Sequence, residues 1–347
     1  MHTTNFQDLL AGCTIPAVKN DAVTRALREA FGASEYEAIQ AMTAGLSKAL
    51  VFRIVVRGNP RLLRVVMNTD ASVGPGQGDQ THHFIRMKAA AEAGIAPRVW
   101  YTSAEDGISI TDFVEARPFP RTQALALLPG TLRKLHALPP FASPRVVNYL
   151  DAMDGLVRKS LTAGILPESQ SAELFDLYSS LADVYQRDGS DVVLCHNDLR
   201  PENVLFDGDR AWLVDWEAAF LNDRYLDLAI VANFVVTDAA EKETYLRTYF
   251  GEAVSPYRRA RLCLMSQLLH MFYAAFLMLF GARGKSIDSL SNAPDFRDFH
   301  DRIWTGEVNL ANDEIKMEYA KVHMNQALRN RRTTRFRDAL QIVSRGV

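Results

Sequence analysis

The chain has 347 residues, of which 48% are hydrophobic and 23% are charged. This length exceeds what one hydrophobic core usually needs, so the sequence predicts two lobes or domains of an ordinary globular protein. A formal net charge of −2 provides no basic field for binding nucleic acid. The three cysteines are isolated and lack metal-binding spacing, and the N-terminus has no leader-like pattern, so we expect a cytoplasmic protein in a reducing compartment.

The first part of the chain has one helical pattern followed by several strand patterns. An apolar residue recurs at every fourth position from Val23 to Phe31, which predicts an amphipathic helix. Strand-like segments then occupy residues 38–43, 49–57 and 61–67, and the second of these is rich in Val, Ile and Phe. Short turns connect them, which predicts an antiparallel sheet.

Helical patterns dominate the rest of the chain. Apolar residues at helical spacing mark residues 84–95, 125–135 and 174–185, and residues 108–111 form one further strand pattern. The run from Leu262 to Phe280 carries no formal charge and is long enough to span a bilayer. Polar residues interrupt it and no second span accompanies it, so we predict a buried helix and no membrane span.

Polar residues suited to phosphoryl transfer lie between two apolar segments. His196, Asp198 and Asn203 have the spacing His-x-Asp-x-x-x-x-Asn, and Asp215 follows the next apolar run, Ala-Trp-Leu-Val. Carboxylate and amide oxygens are suitable ligands for Mg²⁺, and a carboxylate beside a hydroxyl can accept its proton. The alternative is an acidic surface loop beside a buried histidine.

These two segments, HNDLRPEN and LVDWE, resemble the catalytic and metal-binding loops of the protein-kinase-like phosphotransferases. A glutamate after Asp-Trp, where protein kinases have Phe-Gly, resembles the aminoglycoside phosphotransferase and choline kinase branch. The resemblance implies that Asp198 is the catalytic base and that Arg200 is directed at the γ-phosphate of ATP. It also implies that Asn203 and Asp215 hold Mg²⁺.

The same resemblance implies a set of nucleotide-binding residues. Gly45 and Ser47 lie in a turn that resembles the family's short nucleotide loop, where backbone amides approach phosphate. Arg64 occupies the strand position of the family's phosphate-binding lysine or arginine, although it could instead be an exposed arginine on an edge strand. Asp112 and Val114 lie in the segment that resembles the hinge between the lobes, whose backbone groups bind adenine.

One position departs from the family pattern. The helix after the third strand normally presents a glutamate to the phosphate-binding cation, but this sequence has His82 and His83 about where that glutamate belongs. Asp79 or Glu92 could substitute, or Arg64 could need no partner. The usual ion pair is therefore an open question at this stage.

Glu217 has several possible roles. It lies two residues beyond Asp215, so the resemblance places it near the phosphates and the incoming hydroxyl. Its carboxylate could attract a cationic acceptor, support Mg²⁺ or accept backbone hydrogen bonds.

We therefore predict an α+β, bilobal, protein-kinase-like fold. A small antiparallel-sheet N-lobe (residues 1–115) binds nucleotide, and a larger, mostly helical C-lobe (residues 116–347) carries the catalytic loop and the acceptor site. The implied function is ATP- and Mg²⁺-dependent phosphorylation of a small-molecule hydroxyl, and the Asp-Trp-Glu and GIAPRVWY segments favour an amino-alcohol like choline or ethanolamine. Aminoglycoside or sugar acceptors, a nucleotide-binding pseudokinase, and an enzyme transferring another part of ATP are the alternatives.

Overall fold

The computed structural model describes residues 14–42, 49–67, 80–140, 149–185, 191–251, 254–281, 286–287, 290, 292–310 and 312–346. The predicted nucleotide turn with Gly45 and Ser47 lies outside these residues. Contacts divide the chain into two compact units, each built from two separate stretches. The sheet unit comprises Met1–Pro118 and Glu202–Ala219, and the helical unit comprises Phe119–Pro201 and Phe220–Val347.

The main sheet of the sheet unit has five described antiparallel strands in the order β1-β2-β3-β5-β4. The strands are β1 (Ala38–Met42), β2 (Leu50–Val56), β3 (Asn59–Val65), β4 (Val99–Ser103) and β5 (Ile108–Asp112), and the helices are α1 (Asn20–Phe31) and α2 (Gln80–Glu92). As predicted, the region begins with an amphipathic helix and continues as an antiparallel sheet. The strand β4 has no counterpart among the predicted strands.

The core of the sheet unit lies between α1 and one face of the sheet. Leu63 and Val65 of β3 are buried there with Val23 and Leu27 of α1. Because successive side chains of a strand point to opposite faces, Arg64 must project from the other face. The packing of α1 thus decides the orientation of Arg64.

A small hairpin after the catalytic loop belongs to the sheet unit. Its strands are β7 (Val204–Phe206) and β8 (Ala211–Leu213), which pair in antiparallel fashion. Backbone hydrogen bonds join it to the first stretch of the unit, from Leu213 N–H to the Ile95 carbonyl (2.8 Å) and from Arg117 N–H to the Phe206 carbonyl (2.7 Å). The sequence reading placed this segment with residues 116–347, whereas these contacts group it with the sheet.

The helical unit consists of nine described helices and a two-stranded sheet of β6 (Val192–Cys195) and β9 (Phe220–Asp223). The helices are α3 (Arg121–His136), α4 (Tyr149–Thr162), α5 (Glu168–Val184), α6 (Arg224–Val235), α7 (Ala239–Phe250), α8 (Pro256–Gly281), α9 (Phe296–Trp304), α10 (Asp313–Arg331) and α11 (Thr334–Arg345).

The helix α8 contains the apolar run noted in the sequence. It is the one described helix long and apolar enough to cross a membrane, and 72% of its most apolar 18-residue window is buried inside the protein. Burial of this kind is typical of a core helix, in agreement with the predicted buried helix. A cytoplasmic location remains a prediction.

Candidate active site

The loop that follows β6 is fixed by hydrogen bonds to one buried carboxylate. Asp227, in the first turn of α6, accepts the backbone N–H of His196 at 2.7 Å and that of Asn197 at 2.8 Å. The Nε2 atom of His136 lies 3.2 Å from the same carboxylate. Asp227 is fully buried, so these bonds replace the water it would otherwise bind. These contacts make Asp227 a brace for the loop.

The neighbours of Asp227 form a closed hydrogen-bonded cluster. The Nδ1 atom of His136 lies 2.7 Å from the hydroxyl of Tyr249, so both ring nitrogens have partners. Burial raises the pKa of the Cys195 thiol well above its usual value, and the thiol donates to the Asn222 carbonyl. His136, Cys195 and Asp227 lie close enough to hold a metal ion, but a protonated thiol and a fully engaged histidine fit a structural brace. Burial and these two partners thus indicate a structural role for His136.

The loop turns sharply at Asn197, which precedes the predicted catalytic base. Asn197 has a φ of 66°, in the left-handed region that asparagine tolerates better than most residues. Its side chain is fixed on both sides, donating to the Cys195 carbonyl at 3.2 Å and accepting from Asn222 Nδ2 at 2.8 Å. This turn sets the direction in which Asp198 leaves the braced part of the loop.

Asp198 and Arg200 form a two-point ion pair. Arg200 donates from Nε to one carboxylate oxygen of Asp198 at 2.9 Å and from Nη2 to the other at 3.2 Å. The Asp198 side chain remains 30% exposed. A bidentate arginine fixes the plane of a carboxylate, so Asp198 is both oriented and accessible. The contact pairs Arg200 with the predicted base, whereas the resemblance had directed Arg200 at the γ-phosphate, a role that stays a prediction.

The two predicted metal ligands lie at the same end of the β7–β8 hairpin. The last strand pair is Val204 with Leu213, and beyond it the N–H of Val214 donates to the carbonyl of Asn203 at 3.0 Å. Asn203 and Asp215 therefore flank the open end of the hairpin. Asp215 has a φ of 66°, which turns the chain immediately after β8. An amide oxygen and a carboxylate form a hard donor set that suits Mg²⁺.

Among the described residues, which do not include the candidate Asp79, Arg64 has two partners, and neither is a residue that the sequence singled out for it. Its Nη1 donates to the Gln80 side-chain oxygen at 2.9 Å, and its Nη2 forms an ion pair with Glu217. Burial lowers the pKa of the Arg64 guanidinium, and the nearby Asp215 carboxylate acts in the opposite direction. The sequence had offered an exposed edge-strand arginine as the alternative, but β3 is an inner strand and Arg64 is largely buried.

The residue of α2 that contacts Arg64 is Gln80, whereas the sequence had placed His82 and His83 about where the family's glutamate belongs. Gln80 is the first residue of α2, two positions before His82, and it reaches Arg64. His83 is buried beside Phe84, with ring centroids 5.3 Å apart. The sequence signal for Gln80 was only a polar residue at the start of a helix, which is too common to single out.

The predicted hinge residues differ in what their backbones do. The N–H of Asp112 donates to the Arg98 carbonyl at 2.9 Å, and its carboxylate pairs with Arg61 and accepts from Trp100 Nε1. Val114 follows β5, and within the described part of the chain its backbone groups make no hydrogen bond. Adenine binding in this segment stays a prediction, and it rests better on Val114 than on Asp112.

The predicted site residues thus fall into two groups with distinct chemistry. The helical unit carries an oriented carboxylate and an arginine on a braced loop, and the sheet unit carries oxygen ligands and a buried arginine suited to phosphates. A sheet unit and a mostly helical unit equipped in this way define a protein-kinase-like fold. The chain belongs to the phosphotransferase enzyme family, whose sequence profile matches residues 64–263.

Solved structures of this fold resemble the chain along most of its length. A choline/ethanolamine kinase family protein from Mesorhizobium loti has a TM-score of 0.65 and 22% identity, covering 94% of this chain and 100% of that one. Choline kinase LicA from Streptococcus pneumoniae has a TM-score of 0.55 and 17% identity over 84% of this chain and 98% of its own. Spectinomycin phosphotransferase APH(9)-Ia, in complex with ADP and spectinomycin, has a TM-score of 0.58 and 14% identity, covering 87% and 98% of the two chains. These likenesses confirm the predicted fold.

Sequence similarity to a curated protein is more local. The protein LicA of Haemophilus influenzae is 33% identical over 85 residues, which is 24% of this chain and 25% of LicA. The match therefore spans about a quarter of the length of that relative. The family and the fold are established by these comparisons, and the acceptor is a separate question.

Proposed function

We propose that this protein transfers the γ-phosphoryl group of ATP to the hydroxyl of a small amino-alcohol of the choline/ethanolamine class. The observation that carries the proposal is the Asp198 loop. A carboxylate oriented by Arg200 stands on a loop braced by a buried Asp227, in a chain of the phosphotransferase enzyme family. Positioning and electrostatic stabilisation account for most of the catalysis in phosphoryl transfer, so a rigidly held carboxylate is what the reaction requires.

The choice of acceptor class rests on two similarities. The local match at 33% identity is to LicA of Haemophilus influenzae, and a choline kinase LicA from another organism has the same fold. The solved structure whose whole chain is matched is that of a choline/ethanolamine kinase family protein. The fold is also shared with a spectinomycin phosphotransferase, so aminoglycosides belong in the same test.

In the proposed reaction the acceptor hydroxyl attacks the γ-phosphorus of ATP. The hydroxyl oxygen forms the new P–O bond, ADP departs with the electrons of the bond that breaks, and the hydroxyl proton passes to the Asp198 carboxylate. Arg200 keeps the plane of that carboxylate fixed as the hydroxyl approaches. Arg64 provides a buried positive charge suited to the phosphates of the nucleotide.

The donor set at the open end of the β7–β8 hairpin fits a magnesium ion. Asn203 would supply an amide oxygen and Asp215 a carboxylate oxygen, and the strand pairing together with the Val214 hydrogen bond holds them at one edge. When bound, Mg²⁺ would neutralise the negative charge of the nucleotide phosphates.

The test is a panel of acceptors assayed for ADP formation with Mg²⁺ and ATP. Choline, ethanolamine, spectinomycin and a neutral sugar should be compared at equal concentration, with the highest kcat/KM expected for choline or ethanolamine. Asp198→Asn should lose on the order of a hundredfold in turnover, as the removal of a general base does. Asp209→Asn, which alters an exposed carboxylate in the β7–β8 turn, is the control and should behave like the wild type.

The outcomes separate the proposal from its rivals. A preference for spectinomycin or for the sugar would refute the amino-alcohol class while leaving phosphoryl transfer intact. Nucleotide binding without turnover on any acceptor would instead favour a pseudokinase. Slow ADP formation without acceptor, abolished in Asp198→Asn, would support a competent phosphoryl-transfer site.

A further inference from the structure

The positive charge of Arg64 needs a negative partner, and the side chain that contacts it from the helix α2 is neutral. The Arg64 side chain is only 13% exposed, and a charge removed from water is costly unless it is paired. The contact from α2 comes from Gln80, whose neutral amide can accept a hydrogen bond but cannot balance a charge. Among the described residues, the carboxylate in direct contact with Arg64 is that of Glu217.

The glutamate of α2, Glu92, cannot take this place. Glu92 is the last residue of the helix and is exposed. Twelve residues separate it from Gln80, which corresponds to about 18 Å along a helix that rises 1.5 Å per residue. Since Gln80 is the end of α2 that reaches Arg64, Glu92 lies far from the guanidinium.

Glu217 is held in a fixed place by its neighbours in the chain. It lies in the short helical turn Trp216–Ala218 that follows Asp215. The Trp216 ring is buried, and its Nε1 donates to the Leu213 carbonyl at 3.2 Å. The turn also packs against α2, the helix that carries Gln80. Arg64 is therefore contacted from two adjoining elements of the same unit, the helix α2 and the turn Trp216–Ala218.

We propose that Glu217 is the positioning residue that holds Arg64 for the nucleotide phosphates, with Gln80 as its neutral second support. The inference rests on the proposed function, because it assigns Arg64 to the phosphates of ATP. In this arrangement the carboxylate that Gln80 cannot supply comes from the segment directly after the predicted metal ligand Asp215. Glu217 then acts on the nucleotide through Arg64, and it is not the charge partner of the acceptor.

This role makes a prediction that rival roles do not share. If Glu217 serves Arg64, a carboxylate moved to position 80 should do the same work, because Gln80 already contacts the other side of the guanidinium. If Glu217 binds the acceptor or supports Mg²⁺, a carboxylate at position 80 should not help. The rescue experiment therefore compares Glu217→Gln with the double variant Gln80→Glu/Glu217→Gln.

Two readouts are needed, one of which does not depend on turnover. The first is the Kd for ADP measured by calorimetry, and the second is kcat/KM for ATP and for the acceptor, measured separately. Glu217→Gln should weaken ADP binding and lower kcat/KM for ATP by about tenfold, the effect of losing one charge-assisted contact. The double variant should recover most of that loss, and the KM of the acceptor should change little in either. Glu92→Gln, an exposed carboxylate on the same helix, is the matched control and should match the wild type.

Several results would overturn the inference. A rise confined to the acceptor KM, not repaired at position 80, would make Glu217 an acceptor residue. A raised Mg²⁺ requirement without rescue would assign it to the metal. Unchanged ADP affinity in a Glu217→Gln protein with normal thermal stability would remove it from the site. If wild-type protein phosphorylates none of the acceptors, the proposed function fails, while the binding experiment still decides the role of Glu217.

Discussion

Replacement of Asp227 by alanine should destabilise the protein by several kcal/mol. The carboxylate is fully buried and accepts the N–H groups of His196 and Asn197, with His136 Nε2 at 3.2 Å. A buried donor left without an acceptor costs about 1–3 kcal/mol, so the two backbone groups alone give about 2–6 kcal/mol. Truncation of one partner in a buried charged contact typically costs about 3–5 kcal/mol, which agrees with this range.

Asp227→Asn separates the loss of shape from the loss of acceptors. Asparagine keeps the size of the side chain and one acceptor oxygen, but its amide would face the second N–H group with another donor. It should therefore cost roughly half as much stability as Asp227→Ala. Both Asp227 variants should also lose turnover under conditions where they are fully folded, since the unsupported loop carries Asp198. A displacement of about 1 Å can cost on the order of a hundredfold in rate.

Urea unfolding and turnover, measured where each variant is fully folded, test this reasoning. Asp238→Ala provides the control, because Asp238 caps α7 in the same unit by accepting the Glu241 N–H and lies outside the loop cluster. Loss of that cap should cost about 1 kcal/mol and leave kcat unchanged. If Asp227→Ala were no more destabilising than Asp238→Ala, or left kcat unchanged, the loop would not depend on the buried carboxylate.

Three further predictions follow from the contacts of single groups. Asp198→Asn should retain ADP affinity while losing turnover, measured by calorimetry and ADP release; equal losses in both would remove it from the chemistry. Asp215→Asn keeps a residue that tolerates a φ of 66° but removes the charge, so titration should show weakened Mg²⁺-dependent nucleotide binding. Burial lowers the pKa of His270 and His300 to about 3 and also holds the pKa of His323 well below its ordinary value. In the unfolded chain these histidines take up protons near pH 6.5. The urea midpoint should therefore decrease as the pH is lowered from 7 to 5, and a midpoint that does not change with pH would contradict this.

The catalytic loop could be predicted because its chemistry is local. His196, Asp198 and Asn203 lie within one short segment whose spacing is set by the loop itself, and the apolar runs on both sides become β6 and β7. These features need little knowledge of which distant elements pack together.

The orientation of Arg64 could not be read from the sequence. Leu62, Leu63, Val65 and Val66 surround it with apolar residues on both faces, so strand periodicity gives no preferred side. The packing of α1 against Leu63 and Val65 decides the matter. The partners of Arg64 could not be predicted either, because the ion pair with Glu217 joins residues far apart in the chain.

The acidic residues after β6 show why residue type alone does not assign a role. Asp227 is buried and accepts backbone N–H groups, so it braces the loop; Asp198 is accessible and oriented by an arginine, so it suits proton transfer. Asp215 turns the chain at the end of a hairpin beside an amide oxygen, while the carboxylate of Glu217 is engaged with Arg64. Two carboxylates two residues apart therefore differ in what they contact. If Glu217 positions Arg64 as we propose, recognition of a cationic acceptor comes from other side chains, and acceptor specificity and phosphate positioning can vary independently.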